Sequence, residues 1–347
     1  MSGFRLAHWM VDAPLTGVCV ERAGRYAAFA GGDGCVRIVD LLNREPSLSV
    51  HSLTQDAILA IVPDCRQSGF LCGADDGVVY ETDATDGPQE LARLARSWPD
   101  RLASHPCGLR AVSDGAQVRL LDAEGQTVAE LGGHPSTVAG LAFDSSGRRL
   151  AVSHYEGVSL WRLDRPCAAP RRLYQRGSHL DLSWSQDDHF LVTTTQENML
   201  HAWDLVSGHD TGLGPCIAKV KSVGWSADGA WLLASGADTV SIWSFSDGHL
   251  PPPAPGMLGR YSDHLVARIC PSPHLPIVAA GYNDGGLELV SLTARPRVEA
   301  LASPPGHLVT GLTWSPDGLC LLGGDSDGRI FAYRFDAGWL ARLAGDD

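Results

Sequence analysis

The stretch "VGWSADGAWLLASGADTVSIW", Val223 to Trp243, returns 89 positions later as "LTWSPDGLCLLGGDSDGRIFAY", Leu312 to Tyr333. Each copy reads as an apolar strand ending in Trp, a turn (Ser226-Ala227-Asp228-Gly229 or Ser315-Pro316-Asp317-Gly318), a short apolar strand, a second tight turn and a third strand. Ser, Asp and Gly favour turns because they bond the local backbone or tolerate positive φ, so their return every few positions predicts an antiparallel meander. No helix-length apolar period competes with it.

The last apolar or aromatic position of the third strand serves as a ruler. It falls at Val39, Thr82, Leu121, Trp161, Trp203, Trp243, Val290 and Tyr333, with gaps of 43, 39, 40, 42, 40, 47 and 43 residues. Such a period with four strands per unit is the signature of a β-propeller.

The chain resembles the WD40 family over essentially its whole length. The marks are "HAWD" (His201 to Asp204), "VSIW" (Val240 to Trp243), "VSLW" (Val158 to Trp161), the pairs Gly133-His134 and Gly306-His307, and "WSPDG" (Trp314 to Gly318). Repeats two, three and seven depart from the pattern: Thr82, Leu121 and Val290 replace the Trp, and "ASHPCG" (Ala103 to Gly108) stands where a WSPDG-like turn belongs. The resemblance implies one all-β propeller domain over 1–347, with repeat units at roughly 10–51, 52–92, 93–132, 133–174, 175–214, 215–258, 259–304 and 305–347. The count predicts eight four-stranded blades, with seven as the alternative. The N-terminal "FRLAH" (Phe4 to His8) is expected to complete the last blade and close the ring, leaving "GWLARLAGDD" as a surplus strand or loose end. "PPPAPG" (Pro251 to Gly256) reads as a stiff bridge between repeats six and seven.

Composition narrows the function. The chain has 27 basic and 40 acidic residues, a formal charge of -13, which opposes a protein that neutralises phosphates. Only Lys219 and Lys221 are lysines, a bias toward Arg that suggests a bacterial source. No apolar run suits a signal peptide or a membrane span, so the expectation is a cytoplasmic protein with neither nucleic-acid nor membrane partners. Nine scattered cysteines show no CxxC pattern and read mainly as small core residues.

Features that look chemical fall mostly to the scaffold. In the family, the His before the first strand bonds toward the third-strand Trp, a role that the resemblance carries to His134 and His307. The turn aspartates Asp33, Asp76, Asp284 and Asp327 are expected to accept backbone amides. Neither a nucleophile elbow nor a phosphate-binding glycine loop is present, so no catalytic residue is assigned and the protein reads as no enzyme. "GGDG" (Gly31 to Gly34) is a turn. A metal site is not assigned, and no cofactor is expected; the competing reading is an accessory propeller that binds a small ligand or metal, for example in metal homeostasis, with His154, His179 and His201 as ligands.

Aligned repeats disagree at one informative position of the first strand, which carries Gly17, Ala60, Arg101, Gly140, Asp181, Ser222, Arg268 and Gly311. The charged Arg101, Asp181 and Arg268 mark a candidate channel group, for an anion or an acidic side chain. Bonds to water, backbone carbonyls or neighbouring side chains are the plainer alternative. Trp98, His154, Tyr155, Lys219, Lys221 and Tyr282 are the candidate partner-binding residues, chosen as exposed aromatic and cationic anchors on loops that the resemblance places at the binding face. The sequence thus predicts a monomeric, non-catalytic scaffold for a protein or peptide partner, one whose basic patch suits the acidic chain.

Overall fold

Strands account for all but one of the regular elements in the computed structural model, which describes residues 4–43, 45–94, 97–301 and 306–345. Strand β1 is Phe4–Met10. One antiparallel sheet contains β2 (Leu15–Val20), β3 (Tyr26–Gly31), β4 (Cys35–Asp40) and β5 (Leu48–Ser52). The next contains β6 (Ile58–Pro63), β7 (Phe70–Ala74), β8 (Val78–Thr82) and β9 (Gln89–Arg93), and a third β10 (Leu102–His105), β11 (Leu109–Asp114), β12 (Gln117–Leu121) and β13 (Thr127–Leu131). Strands β14 (Gly140–Phe143), β15 (Arg149–Arg162), β16 (Arg171–Trp184), β17 (Phe190–Thr195), β18 (Leu200–Asp204) and β19 (Asp210–Leu213) follow in one sheet. Two further sheets hold β20 (Val223–Trp225), β21 (Trp231–Ala234), β22 (Val240–Ser244) and β23 (Gly256–Leu258), then β24 (Val266–Pro271), β25 (Ile277–Tyr282), β26 (Leu287–Ser291) and β27 (Val298–Leu301). The last has β28 (Val309–Trp314), β29 (Cys320–Asp325) and β30 (Arg329–Phe335), with β1 alongside β30.

Among the described residues the strands therefore form seven sheets, six of four strands and one of six. The expected eight separate blades are corrected to seven. The cause lies in two strands of 14 residues, β15 and β16. Repeat units 133–174 and 175–214 share β16, which passes from Tyr174 to Ser178 with no turn between them, through Gly177 at φ 119°. Strand β15 changes register between Tyr155 and Gly157, where Glu156 takes φ 71° and Gly157 φ 125°.

The chain divides into two compact units: a first unit of Thr16–Trp184 and a second of Met1–Leu15 with Ser185–Asp347. Each has its own apolar interior. In the first, Ala28, Ile38, Ile58 and Phe70 pack as one cluster and Val118, Leu131, Leu150 and Trp161 as another. In the second, Phe190, Leu232, Trp243 and Phe245 form one cluster and Leu289, Leu321, Phe331 and Tyr333 another. Second strands such as β7, β25 and β29 are buried at every position, as expected for strands covered on both faces. Burial of each large apolar side chain contributes about 1.5–3 kcal/mol.

Side chains also bond other strands and sheets through backbone carbonyls, and both units use the same devices. Trp184 Nε1 donates to Ala142 O at 3.1 Å in the first unit, and Trp314 Nε1 to Cys270 O at 2.9 Å in the second. Turn residues repeat the motif: His105 Nε2 lies 3.2 Å from Ser145 O, and His274 Nε2 2.6 Å from Pro316 O.

Strand β1 pairs with β30 from Phe4 opposite Phe335 to Met10 opposite Arg329, as expected for the N-terminal segment. The C-terminal segment differs from expectation. It forms helix α1 (Ala337–Ala344), neither a strand nor a loose end, while Asp346 and Asp347 lie outside the described residues. Asp336 caps the helix by accepting Trp339 N at 2.9 Å, and Gly345 ends it in the left-handed conformation. Leu340 and Leu343 are buried in the apolar cluster of the last sheet, and Trp339 stacks on Phe335. No described helix is long and apolar enough to cross a membrane.

Candidate functional site

In each unit, a serine at the end of a second strand secures the loop that leads into the first strand. In the second unit the buried Ser235 Oγ accepts Lys221 N at 3.0 Å and Ser222 N at 3.1 Å, and Ser235 N donates to Ser222 O at 3.0 Å. Gly236 adds a second anchor, since its carbonyl accepts Ala218 N at 2.7 Å. Its φ of 95° and an ideal Cβ position 2.7 Å from Ala218 O leave room for glycine alone. Arg268 completes the set by donating from Nη1 to Lys221 O at 3.3 Å. The ends of this loop are fixed while its side chains face solvent: Lys219 and Lys221 are exposed, and Ile217 is 64% exposed. Lys219 Nζ donates to Gln196 Oε1 at 2.6 Å. The next such loop joins the site across the same turn, because Gly236 N donates to Val266 O and Val266 N to Ala237 O. That loop carries Tyr261, 76% exposed.

The first unit repeats the arrangement with other side chains. Ser113 Oγ accepts Arg101 N at 3.0 Å and donates to Asp100 Oδ1 at 3.0 Å, while Ser113 N donates to Arg101 O. Trp98, 60% exposed, precedes these residues. Tyr155 is 45% exposed and its backbone N donates to Ser136 Oγ at 2.9 Å.

Four of the six predicted partner-binding residues, Trp98, Tyr155, Lys219 and Lys221, are thus solvent-facing. Tyr282 and His154 are not, and their assignment is corrected. Tyr282 is the last residue of β25 and is buried, its hydroxyl donating to Glu288 Oε2 at 2.9 Å; burial, then that carboxylate, push its phenol pKa up. His154 lies inside β15 with both ring nitrogens engaged, Nδ1 by Tyr155 O at 2.7 Å and Nε2 by Ser159 Oγ at 2.8 Å. Both strands run further than the turn pattern suggests. Sequence reasoning missed Ile217 and Tyr261, whose signal is a bulky apolar residue inside a loop otherwise rich in Gly, Pro, Ser and Asp.

The metal-ligand histidines are similarly committed. His179 is fully buried with Nε2 3.0 Å from Gln175 O, and His201 Nε2 lies 2.8 Å from Asp210 Oδ2. Burial lowers the pKa of His154 and His201, the latter against the pull of Asp210. Among the described residues no group of three or more His, Cys, Asp or Glu is placed to hold a metal ion.

Two of the three channel residues meet backbone carbonyls. Arg101 Nε donates to Ala139 O at 2.6 Å, and Arg268 Nε to Thr310 O at 2.8 Å, in each case the residue just before the aligned Gly140 or Gly311. Asp181 Oδ1 accepts the backbone N of Leu182 at 2.8 Å. The scaffold histidines divide: Trp161 Nε1 donates directly to His134 Nε2 at 3.1 Å, whereas His307 is exposed and lies 3.6 Å from Asp327. Asp33, Asp76 and Asp284 accept backbone amides as expected, but in the last such turn Asp325, rather than Asp327, is the acceptor.

With this geometry in view, comparison with known proteins is informative. The family model described as WD domain, G-beta repeat matches residues 125–162, 206–244 and 299–333. Three segments of the chain match WD40 repeats. The fold class is an all-β propeller, consistent with the WD40-repeat family. Protein hir1 of Aspergillus terreus (strain NIH 2624 / FGSC A1156) is 25% identical over 358 residues, covering 92% of this chain and 32% of that protein. WD repeat and HMG-box DNA-binding protein 1 of Xenopus laevis is 22% identical over 299 residues, covering 79% of this chain and 25% of its own length. The chain therefore spans about a third or less of the curated relatives it matches. A chain from the crystal structure of the mitotic checkpoint complex superposes with a TM-score of 0.65 at 20% identity, covering 80% of this chain and 90% of its own, a likeness of fold.

Proposed function

We propose that the protein is a non-catalytic scaffold that holds a protein or peptide partner on the loops leading into its first strands. The observation that carries this reading is the anchoring of residues 218–222 by Ser235, Gly236 and Arg268 behind exposed side chains. A loop fixed before contact loses little freedom on binding, so more of the interaction energy appears as affinity. Aromatic residues such as Trp98 and Tyr261 are of the type that dominates interface energetics. The acidic chain, at -13, steers a partner with a basic patch and disfavours nucleic acid. The name of one relative includes DNA binding, so the exclusion of nucleic acid rests on the charge of this chain. The reading includes a cytoplasmic location.

The test is affinity capture with tagged chain beside a Lys219→Glu, Lys221→Glu, Tyr261→Ala variant that melts at the wild-type temperature. A stoichiometric partner lost in the variant supports the reading; a partner retained at full affinity overturns this choice of loops.

A further inference from the structure

The acidic balance of the chain reverses in one place. Between Arg148 and Arg176 stand seven arginines, 148, 149, 162, 165, 171, 172 and 176, against only Glu156 and Asp164, although the whole chain carries -13. The β15–β16 hairpin gathers them. Leu163 N donates to Arg148 O at 2.8 Å, Arg165 N to Arg162 O at 3.2 Å, and Leu160 lies opposite Arg171, so the backbones of Arg148, Arg162, Arg165 and Arg171 meet at one end of the hairpin. Residues of a strand alternate between faces, which sets Arg172, Tyr174 and Arg176 on one face of β16 over about 13 Å. All of these arginines except Arg149 are exposed, and Tyr174 is 66% exposed.

Internal chemistry accounts for part of this charge. Arg149 is held by Asp144 at 2.8 Å and lies over the Trp184 ring, and Arg162 pairs with Asp164 at 2.6 Å. Arg172 Nη2 donates to Gly133 O at 2.6 Å, a bond that keeps the guanidinium charge and fixes its position. A cationic surface with an exposed tyrosine remains.

We propose that this face of the first unit docks an acidic, extended protein segment, whose carboxylates meet Arg165, Arg172 and Arg176 and whose backbone lies along Tyr174. Charge complementarity selects the occupant. Guanidinium groups suit carboxylates geometrically and sit well beside aromatic rings. The size of the patch selects a short segment: a long polyanion such as a nucleic acid duplex would extend past it onto acidic surface, whereas a few acidic residues fit within it.

The experiment measures fluorescence anisotropy of a labelled peptide of alternating Glu and Gly, at about 0.05 M and 0.5 M salt, with duplex DNA as a second probe. The expected result is peptide binding that weakens with salt, falls about tenfold or more in Arg165→Glu, Arg172→Glu, Arg176→Glu, and persists when the same positions become Lys. Equal melting temperatures show that the variants are folded; if the triple variant melts early, Arg176→Glu alone is measured. Peptide affinity unchanged by charge reversal overturns the proposal, as does DNA binding that exceeds peptide binding and is lost in the same variant. Peptide binding lost instead in Lys219→Glu, Lys221→Glu also overturns it while leaving the scaffold reading intact.

Discussion

Ser113 and Ser235 occupy equivalent places in the two units and do the same work for loops that carry different side chains. Each accepts the backbone of an incoming loop through its hydroxyl and returns a bond from its own N–H. The loop behind Ser113 displays Asp100 and Arg101; the loop behind Ser235 displays Lys219 and Lys221. The anchor engages main chain, which is the same whatever residue it carries, so the displayed side chains are free to differ. Anchoring and display are thereby carried by different atoms of one loop.

The sharpest way to break this equivalence is through the glycines beside the serines. Gly236→Ala meets two penalties, a φ of 95° and a Cβ 2.7 Å from Ala218 O. Gly115→Ala in the first unit meets the φ of 62° alone, with nothing within 4 Å. The expected losses are about 2–4 kcal/mol at Gly236 and about 1 kcal/mol at Gly115, read from denaturant unfolding. Equal losses would mean that the close approach behind Lys219 adds nothing to stability.

The serines come next in size. Ser235→Ala leaves two amides, those of Lys221 and Ser222, without their acceptor, whereas Ser113→Ala leaves one amide and one carboxylate contact. With a net worth of about 0.5–1.5 kcal/mol per bond, Ser235→Ala costs about 1–3 kcal/mol, and Ser113→Ala somewhat less because Asp100 and Arg101 are exposed to water. Hydrogen exchange at the amides of residues 221 and 222 should quicken in the first variant alone.

Much of this architecture was legible in sequence because its signals are local. Ser-x-Asp-Gly turns write their own geometry: Ser226 Oγ donates to Asp228 Oδ1 at 2.5 Å and Ser315 Oγ to Asp317 Oδ1 at 2.5 Å, and each serine also accepts the amide five residues on. Where strands end is not local in this way. His154 and Tyr282 sit among turn-forming residues yet are buried, because pairing to β16 and β24 carries their strands past the expected turn. The continuity of β16, which reduced eight repeats to seven sheets, has the same origin, since Gly177 reads as a break but takes part in a strand. Arg101 and Arg268 were visible as exceptions to a small-residue position, but their partners are the carbonyls of Ala139 and Thr310, and composition says nothing about backbone acceptors. Within the candidate site, Lys219 and Lys221 stood out as the only lysines; Ser235 and Gly236, which hold them, looked like ordinary turn residues.

The smallest expected difference between the units is in their response to acid. The first unit buries His134 and His154 with ring centres 5.7 Å apart, and burial lowers the pKa of both from 6.5. His134 accepts from Trp161 on Nε2 and donates from Nδ1 to Ala116 O at 2.8 Å, an arrangement that requires the neutral ring. The unfolded chain takes up these protons near pH 6.5 and the folded chain resists them, so stability is full above that pH and declines as pH falls below it, levelling off once the folded rings also protonate. The slope reaches at most about 1.4 kcal/mol per pH unit for each ring. His201 in the second unit behaves likewise but has Asp210 beside it to favour its charged form, which shortens its window. Stability measured from pH 7 to pH 5 should therefore flatten more in His154→Gln than in His201→Gln. The reverse order would mean that the Asp210 contact, and not burial, controls the acid response.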